Sequence, residues 1–176
     1  MKLETIQDTM WAVHPAKLEE INAVVNRLLS GEKIDYQASS GKDDSASPYP
    51  LTQDGIAIVS VTGTLMKRAN WISHWSGGTS TQLLKADIAK ALVDSSVKGI
   101  LLIVDSPGGI VHGTKDLADF IFENRGKKPI VAYTDGLMCS AAYWIASAAG
   151  EVVASKTSEV GSIGVALTHY DAYMAY

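Results

Sequence analysis

Short apolar runs alternate with amphipathic segments over residues 51–176, the pattern of strands and helices that follow one another along a chain. Five runs are predicted as strands: 56–62, 100–104, 130–133, 152–154 and 163–167. Two segments with apolar residues at every third or fourth position are predicted as helices: 80–95 and 114–125. This alternation predicts an α/β domain with helices packed on a largely parallel sheet.

The N-terminal part of the chain has a different pattern. Residues 15–30 carry apolar side chains close to one helical face, with Pro15 suited to the first turn and Gly31 to the C-terminal cap. The polar, non-periodic stretch that follows predicts a flexible linker. The expected organisation is an N-terminal helical extension, a flexible linker and a compact domain: 1–31, 32–50 and 51–176.

Composition narrows the function classes. The chain has 176 residues, 47% of them apolar, which suits one domain with a proper core. A net charge of −4 without a basic stripe gives no reason to expect nucleic-acid binding. No apolar run approaches the ~18 residues of a membrane span, and the N-terminus lacks a signal-peptide pattern. We therefore expect a soluble, cytoplasmic protein.

Cysteine and histidine usage adds two expectations. The single cysteine, Cys139, rules out an intramolecular disulfide and is predicted to be a small buried residue. The four histidines show no metal-ligand spacing, so neither a metal nor a cofactor is expected. They are His14, His74, His112 and His169.

The most informative stretch is 136–149, where a helix of small residues begins near Ser140 after the Asp135-Gly136 turn. This places a hydroxyl at a helix start, where free backbone N–H groups point outward. An attacking serine needs such donors, because they hold the oxyanion that the attack creates. The alternative is a serine that caps a buried helix, with small neighbours for close packing.

A second glycine-rich turn, 105–109, follows an apolar strand and precedes a helix. Its paired glycines, Gly108 and Gly109, are placed to expose N–H groups toward a carbonyl oxygen. The alternative is a strand-to-helix turn that needs unusual φ values. The lysine and spacing of a phosphate-binding loop are absent.

The order and spacing of these motifs resemble peptidase family S49, the signal peptide peptidase A type, which shares the ClpP/crotonase architecture. The matching segments are 55–59, 62–63, 97–109, 128–132, 140–146 and 160–165. The N-terminal Trp-Ala-Val-His-Pro at 11–15, followed by a helix, further resembles the phage-encoded branch of the family. Members of that branch are head-maturation proteases that cut scaffold or portal-related proteins during capsid assembly.

The resemblance implies a Ser-Lys dyad in which a neutral lysine is the general base. Ser140 matches the family's serine, and Gly108, Gly109 and the N–H of Ala141 match its oxyanion-hole region. The family's lysine lies roughly fifty residues beyond the serine, which is past Tyr176. We therefore expect the base to be absent from this sequence.

Another residue of the chain could replace that lysine. His169 follows the predicted strand 163–167, and Asp171 is spaced to orient it. Three lysines are predicted to be solvated instead: Lys67, Lys115 and Lys156.

Three hypotheses remain open at the level of sequence. The first is a serine endopeptidase that binds extended polypeptides as an added strand beside the glycine turn and forms homo-oligomeric rings. The second is a noncatalytic assembly module that keeps the fold. The third is a crotonase-like enzyme that acts on acyl thioesters. Trp71 and Trp75 are candidates for a substrate groove or a subunit interface.

Overall fold

The computed structural model describes residues 10–30, 49–68 and 78–166. Its strands are β1 (Trp11–Val13), β2 (Ile56–Thr62), β3 (Leu65–Met66), β4 (Thr79–Ser80), β5 (Gly99–Asp105), β6 (Gly108–Ile110), β7 (Ile130–Thr134), β8 (Leu137–Cys139), β9 (Glu151–Ala154) and β10 (Glu159–Gly161). Its helices are α1 (Pro15–Leu29), α2 (Thr81–Val93), α3 (Thr114–Asn124) and α4 (Ala141–Ser147). The expected α/β class is confirmed.

The main sheet has the strand order β2-β5-β7-β9, and all of its pairs are parallel. The central strand β5 is apolar almost throughout, because helices pack beside a parallel sheet and leave few of its positions exposed. Leu102 of β5 and Ala132 of β7 are fully buried, as are Ile88 of α2 and Ile121 of α3. This core places the carboxyl ends of the parallel strands along one edge.

Helix boundaries follow the sequence pattern closely. Helix α2 begins after Ser80, whose side chain accepts a hydrogen bond from the N–H of Leu83 at 3.4 Å. Helix α3 ends at Asn124, beside the predicted boundary. No helix in the described ranges has the length and apolar character needed to cross a membrane.

The predicted strand 163–167 is wrong. The chain instead pairs β10 with β8, and Ser162 then takes a φ of 52°, a left-handed conformation that turns the backbone out of the ladder. Within the described part of this segment, residues 163–166, only Ala166 forms a bridge, with Trp11. Ile163 is 81% exposed, so the apolar alternation of this segment does not record burial in the sheet.

Short strands build a second layer at the carboxyl edge of the main sheet, because β3, β6 and β8 each begin within a few residues after β2, β5 and β7. They form a sheet of order β1-β6-β3-β4 and the pair β8-β10. The two parts are joined where Ser106 bridges Met138, and Asp105 accepts a hydrogen bond from the N–H of Leu137 at 3.1 Å. Both chemically interesting turns therefore lie in this layer.

The N-terminal segment is attached to the same layer. Strand β1 runs antiparallel to β6, and α1 follows it directly. A small apolar cluster secures the contact: Trp11, Val13, Ile21, Met66 and Ile110. The predicted linker falls almost entirely on residues 31–48, outside the described residues, so the domain boundaries stay predictions.

We expect Gly109→Ala to reduce the free energy of unfolding by at least about 3 kcal/mol. A Cβ at this position would lie 1.9 Å from the carbonyl oxygen of Leu65, and neither strand can move without breaking the β3–β6 pairing. Urea denaturation followed by circular dichroism measures the change. Gly126→Ala is the matched control, since nothing lies within 4 Å of its Cβ position. An equal effect of the two substitutions would contradict the steric account.

Candidate active site

Ser140 stands at the junction of β8 and α4 in a strained backbone conformation. Its φ of 52° and ψ of −113° lie outside the regions that L-residues ordinarily occupy. Two backbone hydrogen bonds hold this turn: the N–H of Ser140 donates to the carbonyl of Gly161 at 2.7 Å, and its own carbonyl accepts from Trp144 at 2.9 Å. Strain of this kind costs about 1–3 kcal/mol and persists where the surroundings impose it.

The side chain of Ser140 does not cap the helix. No cap hydrogen bond is formed, and the hydroxyl donates to the carbonyl of Gly164 at 3.3 Å, near the limit of a hydrogen bond. Among the described residues, no acceptor engages the N–H of Ala141, which opens the first turn of α4. The capping alternative therefore has no support in the geometry, and a free donor lies next to the hydroxyl.

The two predicted turns come together at this point. A Cβ on Gly108, whose φ is 98°, would lie 2.9 Å from the carbonyl of Cys139 and 3.1 Å from the nitrogen of Ala141. Only glycine fits both this backbone and this spacing. The candidate oxyanion-hole residues Gly108 and Ala141 are thus neighbours, and Gly109 follows on β6.

Sequence reasoning missed Ser106. It is fully buried; its hydroxyl donates to the carbonyl of Gly63 at 2.6 Å and accepts from the N–H of Gly108 at 3.1 Å. The N–H of Gly108 is therefore engaged within the turn. The available signal was a polar residue placed between a buried strand and a Pro-Gly pair, a position where a hydroxyl fixes a turn.

Ser140 opens onto a mostly apolar cavity of about 340 Å³. The wall is formed by one residue of β1, by α4 and by the segment after β10: Ala12, Ser140, Tyr143, Trp144, Ser147, Ile163, Gly164 and Val165. This described wall contains no lysine, histidine, aspartate or glutamate. The cavity therefore suits an apolar group, and its described part supplies no general base.

Several predicted residues lie elsewhere. Lys67 and Lys156 are exposed, as expected, and Lys115 is exposed and paired with Asp119 on α3. His112 is exposed as well. Trp144 is 39% exposed, whereas Ile145 is buried and packs α4 against the core. Five residues considered in the sequence fall outside the described residues: Trp71, His74, Trp75, His169 and Asp171.

Cys139 is fully buried beside Ser140, as predicted. Burial raises the pKa of its thiol above the ordinary 9.0, and the charge of Glu159 acts in the same direction. The thiol is therefore neutral and poorly nucleophilic at neutral pH. Among the described residues, no group of three His, Cys, Asp or Glu side chains could hold a metal ion.

Comparison with known families agrees with the motifs. Residues 123–175, which include Ser140, match the model of peptidase family S49. Residues 123–175 of this chain belong to peptidase family S49. The glycine turn lies outside the matched range.

Curated relatives of this S49 chain include two phage proteins. It is 42% identical over 116 residues to the head-tail preconnector protein GP5 of Enterobacteria phage P21, covering 66% of this chain and 23% of that protein. It is 39% identical over 145 residues to the capsid assembly protease C of Escherichia phage lambda, covering 81% and 33%. Protease 4 of Salmonella typhi is 32% identical over 131 residues, covering 74% and 21%. The chain thus spans a third or less of these relatives' lengths.

Among solved structures, a member of the enoyl-CoA hydratase/isomerase family superposes with a TM-score of 0.47 at 16% identity. The superposition covers 60% of this chain and 46% of that one. A probable enoyl-CoA hydratase from Mycobacterium smegmatis superposes with a TM-score of 0.46 at 20% identity, covering 62% and 49%.

We expect Ser140→Gly to be more stable to unfolding than Ser140→Ala by about 1 kcal/mol, because glycine tolerates the left-handed backbone and alanine does not. Urea denaturation of the two variants gives the difference. The matched control compares the wild type with Ala86→Gly, in the exposed middle of α2. There glycine should lower the free energy of unfolding by about 1 kcal/mol relative to alanine. If glycine is less stable than alanine at both positions, the backbone at Ser140 is not strained.

We expect Cys139 in the folded protein to resist iodoacetamide at pH 8 for hours and to react fully in urea, as followed by mass spectrometry. Its raised pKa also fixes the sign of a pH effect. The folded state keeps the proton longer than the unfolded state, so stability is lost as pH rises above about 9. Cys139→Ala should lose less stability over that range; an equal loss would contradict the assignment.

Proposed function

We propose that this chain carries the nucleophile of a serine peptidase and that Ser140 is that nucleophile. The observation that carries the proposal is the geometry of Ser140. Its backbone is strained, its hydroxyl is not used as a helix cap, and the free N–H of Ala141 lies beside it. Membership of a peptidase family supports the same assignment.

In the proposed reaction, the Ser140 oxygen attacks the carbonyl carbon of a peptide bond while a base removes the hydroxyl proton. The N–H of Ala141 stabilises the oxyanion, together with a donor from the Gly108-Gly109 turn. The proton then passes to the leaving amine, and water hydrolyses the acyl-enzyme. In this step the N–H of Gly108 would have to exchange the Ser106 hydroxyl for the oxyanion.

The base lies outside the described cavity wall in this proposal. The S49 resemblance assigns it to a lysine beyond the positions of this sequence, and His169 is the alternative within the chain. If His169 is the base, substitution of His169 should abolish labelling of Ser140. If a lysine is the base, the same substitution should leave that labelling unchanged.

The substrate proposed for the enzyme is an extended polypeptide of a phage capsid, such as a scaffold or portal-related protein. Similarity to a capsid assembly protease and to a head-tail preconnector protein supports this choice. The apolar cavity beside Ser140 favours an apolar side chain next to the cleaved bond. A homo-oligomer that encloses several such sites is part of the same proposal, as is action inside the host cell.

The test is covalent labelling with a fluorophosphonate, which reacts with activated serines. Because the proposed lysine lies beyond this sequence, labelling is compared in the present chain and in one extended at its C-terminus past about position 190. We expect one adduct on Ser140 of the extended chain by peptide mass spectrometry and none in its Ser140→Ala variant. Ser147→Ala is the matched control, because Ser147 lines the same cavity and has no proposed role; its labelling should equal that of the wild type.

His169→Ala separates the candidate bases. Loss of labelling in this variant identifies the histidine, whereas unchanged labelling assigns the base elsewhere. Labelling that persists in Ser140→Ala would refute the assignment of Ser140 as the nucleophile. Absence of labelling at every pH from 6 to 10, without denaturant, would refute it as well. The second outcome would favour the noncatalytic assembly module.

A further inference from the structure

Strand β6 is the edge beside which an extended substrate is expected, and in this protein both of its sides are occupied. Strand β3 pairs with one side and β1 with the other. In the antiparallel β1–β6 register, Ala12 lies opposite Gly109 and Val13 opposite Gly108. The chain's own N-terminal strand therefore lies along the two glycines of the candidate oxyanion turn.

The same strand is also paired on its far side. The N–H of Trp11 donates to the carbonyl of Ala166 at 2.8 Å, and the N–H of Ala166 donates back at 2.7 Å. Strand β1 thus fills a slot whose walls are β6 and Ala166, which we call the peptide slot. A strand held by backbone hydrogen bonds on both sides is the arrangement by which a sheet binds an extended peptide.

The occupied slot leads directly to Ser140. Ala12 lines the apolar cavity together with Ser140, and its carbonyl oxygen is 2.4 Å from the position that a Cβ on Gly108 would take. That Cβ position is also 3.1 Å from the free nitrogen of Ala141. Backbone of β1 therefore occupies the space beside the donors where a substrate carbonyl would have to lie.

Side-chain contacts hold β1 in place without involving the catalytic turn. Trp11 and Val13 pack against Met66 and Ile110, and Nε2 of His14 lies 2.9 Å from a carboxylate oxygen of Glu159 on β10. This contact is partly exposed and contributes little. The apolar contacts are stronger, and a tethered strand also acts at an effective concentration in the millimolar range.

We propose that β1 is a built-in competitor that occupies the peptide slot and must leave it before a substrate strand can bind. The inference rests on the proposed function for the identity of the slot as a substrate site. It also defines the preferred ligand: an extended peptide with an aromatic, a small and a β-branched residue in succession. The small residue stands where Ala12, which is buried, lines the cavity together with Ser140.

A reversible lock tests the proposal. Met10 and Val111 lie opposite each other at the end of the β1–β6 ladder, where the N–H of Val111 donates to the carbonyl of Met10. Cysteines at both positions of a full-length double variant, Met10→Cys with Val111→Cys, are expected to form a disulfide across the strand pair. The probe is a fluorescein-labelled hexapeptide with the sequence of residues 10–15, followed by fluorescence anisotropy.

We expect the reduced variant to bind this peptide at least tenfold more tightly than the oxidised one. A peptide with proline in place of the alanine is the ligand control, since it lacks the N–H that pairs with β6. Equal affinity of the two forms, or binding of the peptide to neither, overturns the proposal. Ser140 labelling is recorded separately, so failure of the chemistry leaves the peptide result interpretable.

A single surface substitution tests the same proposal without an engineered disulfide that could disturb the fold. Glu159→Gln removes the ion pair with His14 and is expected to raise peptide affinity roughly twofold to fivefold. Asp119→Asn is its matched control, because it removes the exposed pair with Lys115 on α3, far along the chain from β1. Equal affinities of these two variants would count against a strand that opens.

Discussion

The candidate site depends on how closely backbone segments approach at Gly108 and Gly109. A side chain at Gly109 would collide with Leu65, and one at Gly108 would collide with the carbonyls of Ala12 and Cys139. These contacts bring β6 against β3 on one side and against the start of α4 on the other. Because no side chain separates the segments, backbone N–H and C=O groups line the site and are available to bind another backbone.

Strain at Ser140 is the second consequence of this tight layer. The hydrogen bond to Gly161 and the pairing of β8 with β10 fix the turn from outside, so the residue cannot relax to an ordinary φ. A serine in this conformation projects from the end of a strand, and no acceptor among the described residues engages the N–H of Ala141 that follows it. The strained turn lowers the stability of the fold, but it positions the Ser140 hydroxyl and the N–H of Ala141 before a substrate binds.

An exposed strand edge has a cost of its own, since unpaired N–H and C=O groups invite pairing with any extended chain. Strand β1 covers that edge with a segment of the same molecule. In a peptidase that binds its substrate as an added strand, β1 and the substrate compete for the same backbone hydrogen bonds of β6. The apolar cluster around Trp11 makes the covered state the stable one, while the exposed His14–Glu159 pair adds only a weak latch.

Local patterns determined most of the elements. The apolar runs located β2, β5, β7 and β9, the capping serine located α2, and the small residues after Cys139 located the turn that carries Ser140. The apolar run 163–167 was wrongly predicted as a strand. Residues 161 and 162 have positive φ and direct the chain away from the sheet, and the apolar alternation of the sequence does not indicate this. The sequence by itself thus determined the order of strands and helices and the nucleophile candidate, since these depend on residues close along the chain. Only the tertiary structure decided that Gly63 anchors the Ser106 hydroxyl, which in turn fixes the N–H of Gly108, and that β1 fills the peptide slot. Those contacts join segments 43 and about 100 residues apart, and a distance of that kind has no periodic signature.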